Sequence, residues 1–397
     1  MSAVTWRLRA IPLTPIHIGD GSVLAPEEFL LNGQELLRFN PRRVLADMGA
    51  GERRRFQSEL DGGRLKEAQA VLRRAADPER HVVERIALGP ASLQALRQAL
   101  DDPGRRGEVR PLIRTAGRPY IPGTSIKGAL RTALLDALIH ERDIGRVRHQ
   151  LTAVSDKRRR TDRLQELAFD FDQRNTEQDP FRFIKVADAA LPQGATRIDR
   201  VINWRPPRPG RPERQPAQGM QMHFERLLSS VDGTKNRPDF QVEISIDEAM
   251  LAEARTREPR KAPKVPLTAA GLWNAANDFS WRRWQEEIEH FFANEPGTRK
   301  LLERTITFKV GGQPRQASEL RQNLLLLRLG RFTQFESKSV DDLREGWNPQ
   351  ARKPMTHGST RNVIFMPIKP NEPDKPLKNN ETEMPVPFGW LLLVKGN

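Results

Sequence analysis

One segment combines a glycine, two hydroxyl residues and two cations at the start of an apolar helix pattern. The glycine follows a short strand pattern and allows close approach of a ligand, while either hydroxyl can cap the helix. The two cations are four residues apart and share a helix face near the unpaired N–H groups of the first turn. This spacing predicts a phosphate contact, with an ordinary solvated helix face as the alternative. The residues are Gly123, Thr124, Ser125, Lys127 and Arg131.

The chain as a whole carries an excess of positive charge. Among 397 residues, 66 Lys and Arg stand against 51 Asp and Glu, which gives a formal net charge of +15. This charge favours a polyanionic partner through counterion release, but it does not distinguish RNA from DNA or from an anionic membrane. There is no cysteine, which excludes disulfides, thiolate zinc sites and cysteine nucleophiles. With no apolar run near about 18 residues, we expect a cytoplasmic protein.

Alternation and turn signals predict strands that are interrupted by helical stretches. Residues 4–10 alternate between apolar and polar, as in a half-buried strand, and Asn32-Gly33 predicts a hairpin. Asn40-Pro41 is a typical helix start, and the composition of residues 52–100 predicts mainly helix. The chain is therefore expected to be of the α+β class.

Two further segments could meet a partner. Residues 204–216 contain too many prolines for a central strand or a helix, so they predict an extended cationic loop. This loop could follow RNA, dock on a neighbouring protein or be a solvated linker. An amphipathic helix is expected from about Thr268, and its face at residues 281–291 could be core or interface. The arginines of the loop are Arg205, Arg208, Arg211 and Arg214.

Four segments, taken in chain order, resemble one family. Residues 13–21 resemble the opening strand and glycine turn of the repeat-associated (RAMP) proteins of CRISPR systems, and residues 120–134 are similar to their strand–turn–helix. Residues 188–246 resemble the thumb hairpin and return strand of these proteins. The C-terminal signature of the type III-A end-capping subunit, the fifth Csm-family protein, is similar to Leu329-Gly-Arg-Phe332, Thr360-Arg361 and Phe388-Gly-Trp390.

The resemblance implies an RNA-recognition-motif-like (ferredoxin-like) RAMP core with a helical insertion, a thumb hairpin and an additional C-terminal α+β lobe. Residues 1–250 would form the core, with the insertion over about 41–110 and the thumb over about 188–240. Residues 251–397 would complete or extend this core.

The resemblance also implies a function. Such a subunit is non-catalytic, binds the guide RNA (crRNA) and caps the backbone filament at the crRNA 3′ end in antiviral RNA-guided interference. The implied partners are the crRNA 3′ region, target RNA, the backbone RAMP subunits and the small helical subunits, with no membrane, cofactor or metal. Because Tyr120 is the only tyrosine and no paired-aromatic motif is evident, contacts to the RNA backbone are expected rather than base stacking.

The predicted RNA contacts lie at the two glycine turns, at the helix start and in the cationic loop. A second phosphate contact at residues 330–331 and 360–361 rests on the resemblance. The predicted residues are Gly19, Gly21, Gly123, Thr124, Ser125, Lys127, Arg131, Arg205, Arg208, Gly330, Arg331 and Arg361.

An enzymatic alternative stays open. His17 could act as a general base on a ribose 2′-hydroxyl, although its apolar strand favours a structural histidine. Where backbone subunits of the family carry a catalytic loop aspartate, this chain has Leu30-Leu-Asn-Gly33. The carboxylates of Asp20, Glu27 and Glu28 are therefore interpreted as solvated turn residues.

The remaining acidic residues give little support to metal or nucleotide chemistry. Asp170, Asp172, Glu177 and Asp179 fit no defined metal spacing, and nothing around Lys127 fits a P-loop. The alternatives to the capping subunit are thus the repeated RAMP backbone subunit or an RNA endonuclease that acts on guide or target RNA.

Overall fold

The structure, a computed structural model, combines sheets with packed helices. It describes residues 3–102, 107–206, 222–233, 235–310, 313–344, 346–348, 353–367 and 383–396. This combination confirms the predicted α+β class.

Strands and helices alternate along the described chain. The strands are β1 (Val4–Pro12), β2 (Phe29–Asn32), β3 (Glu35–Phe39), β4 (Val82–Leu88), β5 (Val109–Arg110), β6 (Arg114–Thr115), β7 (Arg118–Ile121), β8 (Ile184–Val186), β9 (Ala189–Ala190), β10 (Thr196–Trp204), β11 (Met222–Leu227), β12 (Phe240–Ile246), β13 (Thr307–Val310), β14 (Gln313–Gln316), β15 (Leu324–Arg328), β16 (Gly346–Asn348), β17 (Lys353–Met355), β18 (Arg361–Pro367), β19 (Glu383–Pro387) and β20 (Trp390–Lys395). The α-helices are α1 (Pro41–Asp47), α2 (Ala50–Asp61), α3 (Leu65–Ala75), α4 (Pro90–Asp101), α5 (Gly123–His140), α6 (Ile144–Thr152), α7 (Lys157–Phe169), α8 (Glu248–Arg257), α9 (Ala269–Phe291) and α10 (Pro296–Thr305). None of these helices is long and apolar enough to cross a membrane, within the residues that the structure describes.

The core sheet has five antiparallel strands in the order β15-β20-β1-β12-β8. In β1, Leu8 and Ala10 are buried, whereas the arginines that alternate with them face solvent, as the sequence pattern predicts. Helices α5 and α9 pack against each other, and Ile126, Leu130 and Leu272 join the same apolar cluster as the inner face of the sheet. The burial of this apolar face holds the core together.

The leucine-rich strands β15 and β20 are buried on both faces. Leu325 and Leu391 belong to the cluster that α5 and the first part of α9 cover. Leu326 instead contacts a second cluster that includes Trp281 and Trp284 of α9. The aromatic face of α9 is therefore core within this chain, which answers the question that the sequence left open.

Helix α9 also covers the free edge of the core sheet. The Asn277 side chain donates to the carbonyl of Leu324 at 3.0 Å and accepts from the backbone N–H of Leu326 at 3.2 Å. Strand β15 is the outermost strand of this sheet. A buried side-chain amide thus satisfies edge groups that would otherwise be left without partners.

The second sheet contains an antiparallel pair of strands within residues 188–240, the range predicted to be a thumb. Its main path is β19-β18-β10-β4-β3-β2, and β11 pairs antiparallel with β10. At the base of this pair of strands, Arg226 is fully buried and forms ion pairs with Asp199 and Asp232 at 2.6 and 2.5 Å. Loss of either carboxylate would leave a buried charge uncompensated, so this group fixes the base of the pair.

The expectation of mainly helix over residues 52–100 is wrong for one element. Val82–Leu88 forms β4, in which Ile86 and Leu88 are buried. It pairs antiparallel with β3 and parallel with β10. Because these partners are distant in sequence, the helix-forming composition on both sides of the strand concealed it.

Both sheets join residues from either side of the predicted boundary near residue 250. Strand β20 pairs with β1 in the core sheet, and β18 pairs with β10 in the second sheet. The C-terminal residues therefore contribute strands to both sheets.

Candidate nucleic-acid interface

Residues 15–18, the junction segment, connect four distant parts of the chain. Each of their four carbonyls accepts a hydrogen bond from a different segment, at 2.8–2.9 Å. Those segments are the loop before β20, the end of strand β11, the loop after β15 and the stretch before β6. The donor–acceptor pairs are Gly389 to Pro15, Leu227 to Ile16, Arg331 to His17 and Ile113 to Ile18. The junction segment thus gathers parts of the chain that the sequence singled out separately.

Two glycines make this close packing possible. Gly330 has a φ of +94°, and a Cβ there would lie 2.4 Å from the carbonyl oxygen of His17. Gly389 has a φ of +104°, and a Cβ there would lie 2.8 Å from the carbonyl oxygen of Leu329. Both the backbone conformation and the space exclude a side chain. Gly330 therefore allows the loop after β15 to approach the junction segment, and Gly389 allows the loop before β20 to approach that same loop.

His17 is a buried and hydrogen-bonded residue in this arrangement. Its side chain lies against the rings of Phe224 and Phe332, and its Nδ1 is 2.6 Å from the carbonyl oxygen of Glu225. Because that carbonyl can only accept, Nδ1 carries the proton in the neutral ring. Burial lowers the pKa of His17 to about 4. Such a neutral ring is a weak base at neutral pH, which is the geometry of a structural histidine.

The carboxylates near the glycine turn have local partners. Asp20 accepts from the backbone N–H of Ser22 at 2.8 Å, and Glu28 accepts from that of Ala25 at 2.8 Å. Glu27 accepts from the Gln69 side chain at 2.8 Å. Among the residues that the structure describes, no group of three or more His, Asp or Glu side chains is placed to hold a metal ion.

An exposed glycine turn and three cations adjoin the junction segment. Gly19 and Gly21 are exposed, and Gly21 has a φ of +92° with open space beside it. The charges of Arg331 and Arg110 act on His17, and that of Arg331 acts on Lys338, so the three cations lie in one region. Burial lowers the pKa of Lys338, and the positive charges of Arg328 and Arg331 lower it further.

These three cations are available to a ligand. No carboxylate within the described ranges pairs with Arg110, Arg331 or Lys338, and Arg331 is exposed. We name them the junction cations. Sequence reasoning found Arg331 and missed the other two, because the absence of a carboxylate partner is a property of the fold. Neither of the two missed residues lies in a recognisable motif.

The start of α5 is held closely against the end of β8. The backbone N–H of Gly123 donates to Asp188 at 2.7 Å, and a Cβ at Gly123 would lie 2.2 Å from the carbonyl oxygen of Val186. Thr124 is exposed and Ser125 is half-buried. The glycine is therefore required for packing, while the two hydroxyls remain accessible.

Lys127 and Arg131 share a helix face but differ in their surroundings. Lys127 is half-buried, has no ion pair in the described part of the chain and lies near Gly128, beside which the space is open. Burial lowers the pKa of Lys127. The Arg131 guanidinium binds both Asp179 oxygens at 2.8 and 2.9 Å and lies 4.7 Å from the Phe169 ring centroid. Lys127 is thus the more available cation, and an RNA contact by Arg131 stays a prediction.

Arg361 lies inside the protein and has a structural environment. It is 2 % exposed and contacts Glu287 at 3.1 Å and Glu336 at 3.0 Å. Glu287 also accepts from Arg328 at 2.5 Å and from the indole N–H of Trp390 at 2.8 Å. This buried network ties α9 to β15, β18 and β20. These two carboxylates already compensate its charge inside the protein, which favours a structural role, and the predicted RNA contact of Arg361 stays a prediction.

The cationic loop is described only at its first residues. Arg205 is half-buried at the end of β10. Arg208, Arg211 and Arg214 lie outside the described residues, so their predicted contacts to RNA or protein stay predictions.

Comparison with known families identifies the fold. A family model described as the RAMP superfamily matches residues 10–252. The chain belongs to the RAMP superfamily. The match covers the first three of the four segments whose motifs resemble the family, and it ends before α9.

Individual relatives within the RAMP superfamily support the more specific resemblance. The chain is 28% identical over 151 residues to the CRISPR system Cms protein Csm5 of Mycobacterium tuberculosis (strain CDC 1551 / Oshkosh), over 34% of this chain and 40% of that protein. It is 30% identical over 148 residues to the Csm5 of Streptococcus thermophilus, over 33% of this chain and 38% of that protein. The chain thus matches about two fifths of the length of these relatives. The resemblance to the fifth Csm-family protein is confirmed.

Solved structures share the fold over nearly the whole chain. A chain of the cryo-EM structure of the Csm–crRNA–target RNA ternary complex in a type III-A CRISPR-Cas system has a TM-score of 0.59 and 17% identity. That match covers 98% of this chain and 100% of the other. The crystal structure of T. onnurineus Csm5 has a TM-score of 0.55 and 18% identity, with 96% and 99% covered. At this level of identity the likeness shows the fold alone.

Proposed function

We propose that this RAMP protein is the guide-RNA-binding subunit of a type III-A CRISPR effector complex and that it caps the backbone filament at the crRNA 3′ end. The observation that carries the proposal is the junction segment. It leads directly into the glycine turn, binds β11 and two of the three C-terminal signature segments, and lies beside the junction cations, which have no ion pair among the described residues. The Csm5 relatives and the neighbour from a Csm–crRNA–target RNA complex support the same assignment.

The proposed RNA contact is with the phosphate backbone. The junction cations, Lys127 and the accessible hydroxyls of the α5 start supply positive charge and donors without reading a base. The partners would be the crRNA 3′ region, target RNA, the backbone RAMP subunits and the small helical subunits. The strand order β8-β12-β1-β20, with α5 and α9 on one face, supports the inference of an RNA-recognition-motif-like core.

The proposed subunit contributes affinity for the guide RNA and fixes the register of that RNA in the complex, and it performs no catalysis. A buried His17 with a lowered pKa and a hydrogen-bonded Asp20 are poorly suited to general base or metal chemistry. A direct test incubates the purified protein with labelled RNA, with and without magnesium. Cleavage that His17→Ala or Asp20→Ala abolishes would establish a ribonuclease instead.

The deciding experiment co-expresses the chain with its genomic neighbours, purifies the assembly through a tag and maps RNA–protein crosslinks. We expect one copy per complex, with crosslinks near the crRNA 3′ end and close to the junction cations. Several copies with evenly spaced crosslinks along the guide would indicate the repeated backbone subunit. The absence of copurifying RNA would refute the proposed function.

A further inference from the structure

A cavity of about 860 Å³ lies beside α7, and its wall shares no residue with the junction segment or the junction cations. It is formed by the turn that leads into α7, by one face of that helix and by the turn that follows it. The wall includes Ser155, Arg159, Arg163, Phe171 and Arg174. The volume is within the range of small-molecule sites in proteins, roughly 300–1,000 Å³.

The acidic side chains of this wall are already used by the fold. Asp156 accepts from the backbone N–H of Arg158 at 2.9 Å and caps α7. Asp172 accepts from the backbone N–H of Arg174 at 2.9 Å. Asp162 lies 3.4 Å from the side-chain Nε2 of Gln173, and Glu166 lies 3.1 Å from the guanidinium of Arg163. These carboxylates are thus engaged with the protein.

Two arginines of the same wall have no such partner. The side chains of Arg159 and Arg174 form no ion pair or hydrogen bond with other residues that the structure describes. The segment that forms the wall, residues 153–174, contains six Lys or Arg and five Asp or Glu, a net charge of 6 − 5 = +1. Phe171 also lines the wall, although its side chain is 9 % exposed and packs against Phe169 in the core cluster. Unpaired guanidinium groups beside an aromatic ring are suited to a phosphate that carries a nucleobase.

We propose that this cavity binds a nucleotide phosphate, through Arg159 and Arg174, at a site separate from the junction cations. The proposal rests on the proposed RNA-binding function for the identity of the ligand. The phosphate could belong to an RNA strand or to a free nucleotide, and these two sources are separated below.

The test compares variants of the full chain for binding to a fluorescein-labelled single-stranded RNA. Arg159→Ala with Arg174→Ala should weaken binding about tenfold at 0.1 M salt. The magnitude of the slope of the logarithm of the association constant against the logarithm of salt concentration should also fall by about 1.4, or about 0.7 for each lost phosphate contact. The matched control, Arg54→Ala with Arg55→Ala, removes two exposed arginines of α2 and the same charge. We expect it to change the affinity less than twofold.

A second variant tests the cavity without changing the charge. Ser155 is exposed and lines the wall, so Ser155→Trp should fill the space. Photocrosslinking with 5-iodouridine RNA should label the wild-type peptide that contains Phe171, and this label should be lost in Ser155→Trp. Competition by millimolar uridine monophosphate would assign the site to free nucleotides. Its failure to compete, with the RNA crosslink intact, would assign the site to an RNA strand.

Three results would count against the inference or its premise. Equal affinities of the cavity double variant and the α2 control, with no crosslink in residues 153–174, would overturn it. Loss of copurifying protein subunits with unchanged RNA affinity would overturn it too and would make the face a protein-docking surface. If the wild-type chain bound no RNA anywhere, the proposed function itself would fail, which is a separate outcome.

Discussion

Gly330→Ala and Gly21→Ala form a matched pair that tests the junction segment. The two glycines have nearly equal φ values, +94° and +92°. They differ in their space, because a Cβ at Gly330 would lie 2.4 Å from the His17 carbonyl oxygen, whereas nothing lies within 4 Å of a Cβ at Gly21. The pair therefore separates backbone strain from steric exclusion.

The expected magnitudes follow from that difference. A non-glycine residue at such a φ costs about 1–3 kcal/mol in either variant. At Gly330 the loop must also move away, which breaks the 2.9 Å hydrogen bond from Arg331 N–H to His17 and adds about 1 kcal/mol or more. We expect Gly330→Ala to lower the free energy of unfolding by about 1–2 kcal/mol more than Gly21→Ala.

Urea denaturation measures this difference, and RNA binding at several salt concentrations measures its consequence. Displacement of Arg331 should weaken RNA binding about threefold to tenfold and reduce the salt slope by about 0.7. Equal unfolding free energies for the two variants would refute the packing argument. An unchanged salt slope in Gly330→Ala would show that Arg331 does not contact phosphate.

Three further predictions follow from the same contacts. Lys127→Ala should weaken RNA binding in a salt-dependent way without loss of stability, whereas Arg131→Ala should lower the free energy of unfolding by about 1–3 kcal/mol because Asp179 and the aromatic rings lose their cation. Glu287→Gln should lower it by about 3–5 kcal/mol, because the charges of buried arginines become uncompensated. His17, whose pKa is lowered to about 4, takes up its proton more readily when unfolded. This group alone should therefore lower the free energy of unfolding by up to about 3 kcal/mol as the pH falls from 6.5 to 4, and His17→Gln should remove that contribution.

The last two of these predictions each have a control and a refuting result. Glu253→Gln removes one partner of the exposed pair with Arg257 and should change stability by less than about 0.5 kcal/mol; a similar value for Glu287→Gln would contradict the network. For the pH dependence, burial also lowers the pKa of His223 to about 4. The part of the acid destabilisation that comes from His223 should therefore persist in His17→Gln. Identical unfolding curves against pH for wild type and His17→Gln would refute the assignment.

Features fixed by a few neighbouring residues were predictable from the sequence. The hairpin at Asn32-Gly33 forms with Gly33 at a φ of +56°. The helices at Asn40 and Thr268 begin where their side chains accept from backbone N–H groups at 3.0 Å. Strand β4 shows the limit of this reasoning, because its strand character depends on β3 and β10.

The candidate site could be predicted only in part, for the same reason. Arg331 and Arg361 both follow a small or hydroxyl residue in a C-terminal signature, and nothing local distinguishes them. Arg331 is exposed and has no carboxylate partner among the described residues, whereas Arg361 lies between Glu287 and Glu336. Glu287 is 74 residues away from Arg361 in the sequence. The fold, rather than the motif, decides which arginine can meet a ligand.

The junction segment also determines how RNA binding should be tested in this protein. Its carbonyls hold the C-terminal loops, the end of strand β11 and the approach to α5 together, so a substitution at His17 or Gly330 changes stability and the position of the cations at once. A loss of RNA affinity in those variants is therefore ambiguous unless stability is measured beside it.

Substitutions at Lys127 and Arg331 remove positive charge without removing an ion pair of the described structure. If RNA is held by its backbone, each of these two substitutions should weaken the binding of RNAs of unrelated sequence to the same extent. Each should also reduce the salt slope. A loss confined to one RNA sequence would instead point to base readout and would contradict the proposed binding mode.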